Sequence, residues 1–424
     1  MPSYDALILG GGPAGATAGL ILARAGWRVA IIEKSLFPRR KVCGEFVSAT
    51  SLPLLFELGI GEEFLSLAGP EVRRVGLFEG EACLGAMMPE VQGPRAAWGR
   101  ALGREHLDLL LLAAATRAGA KVWQPWKAIA LEHRGSKWVC TLAGDRGGAE
   151  ISAPVAIAAN GSWERGPLPG TGERAHRDCD LLAFKAHFRD CGLAADLMPL
   201  LVFPGGYGGM VTSDGARVSL SCCIRRDRLR ACRKGGSGRA AEAVLAHIQS
   251  SCAGVREALR GARLEAGVLS AGPIRPGIRP RYANGVFFTG NSAGEAHPII
   301  AEGISMAMQS SWLLCRRLTA DSGAAFSDRA HSDIGRSYGR EWRQAFALRI
   351  HVAALFTQIA MRPGAAALLR PLIARFPQVL TLGARLAGKA TRLPRVTSSE
   401  HPRRQPVELA TTHDGGSHGR GQDS

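Results

Sequence analysis

The chain has 424 residues, with 53 Lys and Arg against 36 Asp and Glu for a formal charge of +17, and is 46% hydrophobic and 21% charged. That length exceeds one small core and calls for two or three domains, while the composition argues against a disordered chain and against an integral membrane protein. The cation excess favours anionic partners, but the arginines are spread out and not interleaved with aromatics, so nucleic acid is not expected; a solvated basic surface is the plainer explanation.

The first apolar strand, Tyr4 to Leu9, runs into Gly10-Gly11-Gly12-Pro13-Ala14-Gly15, a small-residue helix follows, and Val29 to Ile32 closes on Glu33. If a dinucleotide lies across this stretch, Gly10 permits the tight turn, Gly12 lets backbone approach a pyrophosphate and Gly15 lets helix and strand pack closely. The helix opening at Pro13 and Ala14 aims its free N–H groups at phosphates, and Glu33 is placed for a ribose diol. The pattern predicts a dinucleotide without separating NAD from FAD. Lys34 then begins a basic loop, Arg39-Arg40-Lys41-Val42-Cys43-Gly44-Glu45, whose cations are expected either to screen the pyrophosphate or to be solvated. A helix is expected around Ser51 to Leu58.

Residues 72–98 alternate like the start of an antiparallel sheet, and Leu107, Leu110, Leu111 and Ala114 place a helix over Ala101 to Ala118. Lys121-Val122-Trp123 brings the chain back to the parallel sheet. A hairpin follows over Ala128–His133 and Trp138–Leu142, then a strand from Pro154 that ends in Asn160-Gly161. Strands over Leu182–Phe188, Leu200–Phe203, Val218–Ile224 and Leu264–Leu269, with a helix from Ala240 to Ser250, make the body of the second sheet. Within it, Gly205 to Gly209, with Tyr207, is either a loop that approaches a ligand or a hairpin tip. A third strand–turn–helix step spans Gly285 to Leu318 and contains Asn291, His297, Pro298, Gly303 and Ile304. Residues 331–390 are expected to be helical, broken at Pro363 and Pro377, with a disordered tail beyond Leu393. No run of 18 or more uncharged apolar residues occurs, so no transmembrane helix is expected. Ten cysteines without a CxxC pair give neither a metal site nor a disulfide framework, and the opening lacks the pattern of a signal peptide; a reduced, cytoplasmic setting is expected.

Taken in order, the three strand–turn segments resemble the flavoprotein family that groups geranylgeranyl reductases, p-hydroxybenzoate-type aromatic hydroxylases and flavin-dependent halogenases, over about residues 4 to 320. Phe37 to Glu45 is similar to the FPRxKxCGE loop of the geranylgeranyl-reductase branch, Arg104 to Asp108 to its RxxFD helix start, and Gly290 to Ile304 to its GDAAG…P…GEGI segment. The resemblance, not the glycine motif, selects FAD. It implies an α/β fold in which a Rossmann-like FAD-binding domain (1–71, 99–165 and 276–330) is interleaved with a mainly antiparallel substrate domain (72–98 and 166–275), followed by C-terminal helices (331–393) and a tail (394–424). It assigns Gly10, Gly12, Pro13, Ala14, Gly15, Glu33, Lys34, Arg40, Cys43, Arg104, Asn291, Pro298, Gly303 and Ile304 to cofactor binding.

Asn291 stands where the family carries the acid that binds the ribityl chain; its amide oxygen still accepts a hydrogen bond, without the charge. Ala159-Asn160-Gly161 replaces the hydroxylases' acidic DG motif, and no second GxGxxG follows a strand, so NAD(P)H or a protein donor is expected to act transiently. The halogenases' WxWxIP segment is missing. Cys43-Gly44-Glu45, the Gly205–Gly209 stretch with Tyr207, and His297-Pro298 are the candidates facing the flavin, and His297 is expected either to move a proton or only to bond within its loop. The implied activity is reduction or hydroxylation of a hydrophobic isoprenoid, lipid or polyketide-like substrate, with a flavin monooxygenase of an aromatic secondary metabolite as the alternative. The C-terminal helices, apolar and basic, either cover the pocket or rest peripherally on the inner face of an anionic membrane. A non-catalytic basic membrane-surface or nucleic-acid-binding protein that keeps the fold as a scaffold is the competing class.

Overall fold

A computed structural model of the chain describes residues 1–91, 98–145, 147–161, 175–234, 239–320 and 327–390; the tail expected over 394–424 lies outside them. Strand β1 (Ala6–Leu9) is buried at every position, as a strand covered on both faces must be. It enters helix α1 (Pro13–Arg24) through the glycine turn, and β2 (Val29–Ile32) runs parallel to it with Ala6 opposite Val29. The chain leaves for a second sheet through β3 (Arg74–Glu79) and β4 (Ala82–Met87), then returns through α2 (Arg104–Arg117) to β5 (Lys121–Trp123) beside β2. Helix α2 begins three residues later than the periodicity predicts, because Arg100 and Ala101 pair instead with Val47 and Phe46.

The expected hairpin, β6 (Lys127–Arg134) and β7 (Lys137–Gly144), gains a third strand, β8 (Gly147–Ala153), before β9 (Val155–Ala158) pairs parallel to β1. The second sheet is completed by β10 (Leu181–Arg189), β11 (Leu197–Phe203), β12 (Gly206–Thr212), β13 (Val218–Arg225) and β14 (Leu269–Ile274). Its order is β10-β13-β12-β11-β3-β4, with β14 on the other side of β10; every pairing is antiparallel except β11 with β3. The chain then adds β15 (Val286–Phe288) beside β9 and continues into α3 (Gly303–Ala320), α4 (Asp328–Ala360), α5 (Pro363–Arg375) and α6 (Gln378–Ala384), with breaks at the two expected prolines.

Two stretches differ from the sequence expectation. The strand expected over Leu264–Leu269 is interrupted: Leu264 opposes Phe188 but Leu269 opposes Lys185, so extra residues bulge out at Glu265 to Val268. The Gly205–Gly209 loop is mostly strand, because Gly206 onward pairs with both β11 and β13. A Cβ on Gly208 would lie 2.7 Å from the Ser221 carbonyl oxygen, so Gly208 serves packing within the sheet, and Gly208 and Gly209 also line the cavity between the domains.

Period-two alternation decides which side chains meet between the domains. One face of the parallel sheet, with Ile8, Ile31 and Ile157, packs on α1, α2 and α3; the other, with Leu7, Ile32 and Ala156, packs on β6–β8. In the second sheet Phe184, Ala186, Leu220 and Cys222 join a core with the helix Ala240–Ser251. The opposite face, carrying Ala183, Lys185, His187, Tyr207 and Cys223, looks toward the parallel domain and is where the site forms.

Candidate functional site

A cavity of about 530 Å³ runs from the glycine turn after β1, past the Cys43 loop, to the turn before α3, with the second sheet as one wall and α4–α6 as another. At its first end Gly10 has φ +109, a conformation that favours glycine, and a Cβ on Gly15 would lie 1.8 Å from the Gly10 carbonyl oxygen. The turn is therefore fixed to a glycine geometry that presents Gly12, Pro13 and Ala14 to the cavity. Helix α1 has no side-chain cap and no acid in its first turn, so its N-terminal N–H groups remain for an anion. Glu33 accepts from the Gly11 N–H and the Ser35 N–H, each at 2.9 Å, which leaves lone pairs on both oxygens toward the cavity.

The basic loop splits by side. Arg39 lines the cavity, 3.6 Å from Glu33, and its Nε–H has no hydrogen-bond partner among the described residues. Arg40, expected at the cofactor, turns the other way and donates to His187 Nδ1 at 3.0 Å; the physical reason is that successive residues of an extended loop point to opposite sides. Arg104 reaches the same end, held by a bidentate pair with Asp108 at 2.6 and 2.7 Å. An uncapped helix end, an orphaned guanidinium N–H and the glycine cradle together fit the pyrophosphate and ribose of a dinucleotide.

The loop is anchored by a residue expected at the flavin, in a role without a local sequence signal. Glu45, with a left-handed backbone (φ 64), is fully buried and paired with Lys185 and, at 2.8 Å, with His187 Nε2. Burial alone would raise the Glu45 carboxyl, but the His187 hydrogen bond and the Lys185 ammonium outweigh it and hold the group well below the usual carboxylate range. Arg40 has only N–H donors, so His187 Nδ1 accepts and Nε2–H donates to Glu45: the imidazole is the neutral tautomer. The available signal was β10 itself, where Lys185 and His187 follow Leu181 and Ala183 on one face of a buried strand and so require an acid.

At the other end, Asn291 Nδ2 donates to Glu295 Oε1 at 3.0 Å, while Arg279 donates to the Asn291 carbonyl oxygen at 2.7 Å and to Glu295 Oε2 at 3.4 Å. The amide orientation is thereby assigned, and Asn291 Oδ1 is left as an acceptor with no partner among the described residues, in a residue that lines the cavity. The Pro298–Ile300 turn ends at Ala301 (φ 50), and Gly303 and Ile304 open α3 at the cavity wall. Buried Glu302 pairs with Lys389 at 2.7 Å, and the Lys389 ammonium also donates to the Ala301 carbonyl at 3.1 Å. The segment after α6 is thus clipped onto this turn, a contact without a sequence signal.

Tyr207 and His297 come together, with the Tyr207 hydroxyl 3.4 Å from His297 Nδ1. Burial raises Tyr207 well above its ordinary value and lowers His297 to about 4, so both are neutral near pH 7 and share one hydrogen bond. Cys43 lies farther along the same cavity, its sulfur accepting from the Glu45 N–H at 3.4 Å. A histidine depressed in the folded state is destabilising below its unfolded value. Stability of the ligand-free protein should therefore fall between about pH 6.5 and 4, by an amount of order 3 kcal/mol. His297→Leu should remove that part of the pH dependence in urea titrations; an unchanged slope would contradict the burial argument.

Comparison with known proteins agrees with this geometry. A family model described as an FAD binding domain matches residues 3–350. A menaquinone reductase of Mycobacterium tuberculosis is 32% identical over 180 residues, which is 42% of this chain and 42% of that protein, so the match spans less than half of the relative's length. A digeranylgeranylglycerophospholipid reductase of Methanocaldococcus jannaschii is 25% identical over 80% of this chain and 82% of its own. The flavin-dependent brominase Bmp2 superposes with a TM-score of 0.74 at 17% identity, covering 91% of this chain and 94% of its own, a likeness of fold.

Proposed function

The chain belongs to the FAD-binding domain family, and on that premise we propose that it is an FAD-dependent oxidoreductase that reduces a hydrophobic, isoprenoid- or lipid-like substrate. The observation that carries the substrate class is the outer part of the cavity, where Leu77, Leu200 and Val202 of the sheet face Phe356, Ile373 and Leu380 of the helices. Such a wall rewards burial of apolar surface, at roughly 25 cal/mol per Å². The flavin, when bound, supplies the redox chemistry. The protein's part is placement and proton control. The glycine turn, Glu33, Arg39 and Arg104 hold the nucleotide half, and Asn291 Oδ1 with the start of α3 holds the flavin half. Neutral His297 and protonated Tyr207 accept and donate at the substrate side, and the helices α4–α6 exclude water.

The reductant is proposed to bind transiently, as no second GxGxxG follows a strand in the sequence. A second cavity bordered by Arg177, Arg225 and Arg275 shares Ile274 and His297 with the first and supports approach of a phosphorylated donor such as NAD(P)H. Asp180 and Asp227 pair with two of these arginines, which tempers that attraction.

The test is to supply the purified protein with NAD(P)H and an isoprenoid lipid under air and under nitrogen. Faster flavin bleaching with lipid present and product formed equally without oxygen is the expected result. Product that requires oxygen uptake would replace reduction by hydroxylation, and no response to any hydrophobic substrate would overturn the substrate class.

A further inference from the structure

From Arg343 to Ala390 the chain carries seven cations and no Asp or Glu; Arg349 and Lys389 are buried against Glu302 and Arg370 faces Glu79, which leaves Arg343, Arg362, Arg375 and Arg385 as the exposed cations outside these pairs. The helices of this stretch also leave large apolar side chains in solvent. On α5, Leu368, Leu372 and Phe376 recur at four-residue spacing, one stripe of the helix, and Leu368 is 81% exposed. On α6 and just beyond it, Leu382 and Leu386 make the corresponding stripe, with Leu382 at 55%, while Val379 turns to the cavity. Arg375 stacks on Phe376 at 5.2 Å, and Arg362 and Arg385 flank the two helices and are exposed. The inner sides of the same helices, Ile373 and Leu380, line the cavity.

We propose that α5 and α6 form a membrane-docking surface that lies on an anionic lipid bilayer, with Leu368, Leu372, Phe376 and Leu382 in the acyl boundary and Arg362, Arg375 and Arg385 among the headgroups. Amphipathic helices bind an interface through buried apolar area together with attraction of Arg and Lys to anionic lipids, and both are present here. A second copy of the chain is a poorer occupant, because a two-fold interface on this face would oppose arginines to arginines with no acid between them. The chain's own segment 391–424 supplies only four large apolar side chains, Leu393, Val396, Val407 and Leu409, too few to cover both stripes. Because the same two helices wall the cavity, docking would set its outer end against the bilayer.

Flotation of the full-length, FAD-loaded protein with vesicles of phosphatidylglycerol and phosphatidylcholine tests this without substrate turnover, so its failure is separable from failure of the proposed reaction. The expected result is co-flotation with anionic vesicles, reduced about tenfold by Leu368→Asp with Phe376→Asp, and by Arg375→Gln with Arg385→Gln. The bound flavin spectrum of these variants should be unchanged. Absence of flotation would overturn the proposal, as would flotation indifferent to both double variants or abolished instead by replacing Arg392, Arg395, Arg403 and Arg404 with Ser. Self-association or binding of an acidic protein that the Leu368 and Phe376 substitutions abolish, without vesicle binding, would overturn it equally.

Discussion

Replacing Glu45 by Gln is expected to destabilise the protein by about 3–5 kcal/mol, the range for removing one partner of a buried ion pair. The loss is large because Lys185 and His187 have no exposure and converge on this one carboxylate. With the charge gone, the Lys185 ammonium is left in a site that excludes water, and the loop carrying Arg39 and Cys43 loses its tie to the second sheet. Urea denaturation of the single variant and of Glu45→Gln combined with Lys185→Met separates the two effects. The double variant should recover much of the deficit, since an uncharged pair leaves no buried ion. Retention of wild-type stability by the single variant would show that the cluster carries no net charge coupling. The folded-state carboxyl is depressed, so in the wild-type protein this contribution is complete above about pH 4.3 and is lost as pH falls through the lower folded value.

The second large effect is expected at Asn291. Restoring an acid there looks like a repair of the resembling family's pattern, yet Asn291→Asp should weaken FAD binding. The new carboxylate would sit about where Nδ2 now donates, 3.0 Å from Glu295 Oε1. Two carboxylates at that separation repel by several kcal/mol at an effective dielectric near 20, and Arg279, already shared between this turn and Glu295, offsets only part of it. A net cost of about 2 kcal/mol corresponds to roughly thirtyfold in the FAD dissociation constant. The penalty should shrink at low pH, where the pair shares a proton. Asn291→Asp with Glu295→Gln should bind FAD at least as tightly as the wild type, because the Gln amide can donate to the new acid. Quenching of flavin fluorescence on titration into apo-protein reads both constants. Tighter binding by the single variant with Glu295 intact would contradict the assigned amide orientation.

The nucleotide half of the site was legible because its requirements are local. A φ of +109 at Gly10 and the contact of Gly15 with Gly10 are met by glycine at a fixed spacing, and Glu33 follows at the end of the next strand. The first return to the parallel sheet was also legible, since it is a helix followed by an apolar strand, α2 into β5. The contacts that join the halves were not. Glu45 and Lys185 are 140 residues apart, and Glu302 and Lys389 are 87 apart. Nothing local distinguishes either lysine from a solvated one, and only the strand alternation around Lys185 hinted at a buried partner. Arg39 and Arg40 show the same limit on a finer scale: the basic run pointed to the right loop, but which neighbour faces the cavity depends on where the loop is anchored. The glycines around Tyr207 suggested either a loop at a ligand or a hairpin tip; the tip is Pro204-Gly205, and from Gly206 the chain is strand, where the packing of β12 between its neighbours excludes a Cβ at Gly208.

One cavity is proposed to hold a single FAD from the glycine turn after β1 to the turn before α3. Titrating FAD into the apo-protein, with mass identification of what copurifies, tests it most directly. The expected result is a yellow protein with one FAD per chain and quenched flavin fluorescence; a colourless protein that takes up no FAD would rule out this occupancy.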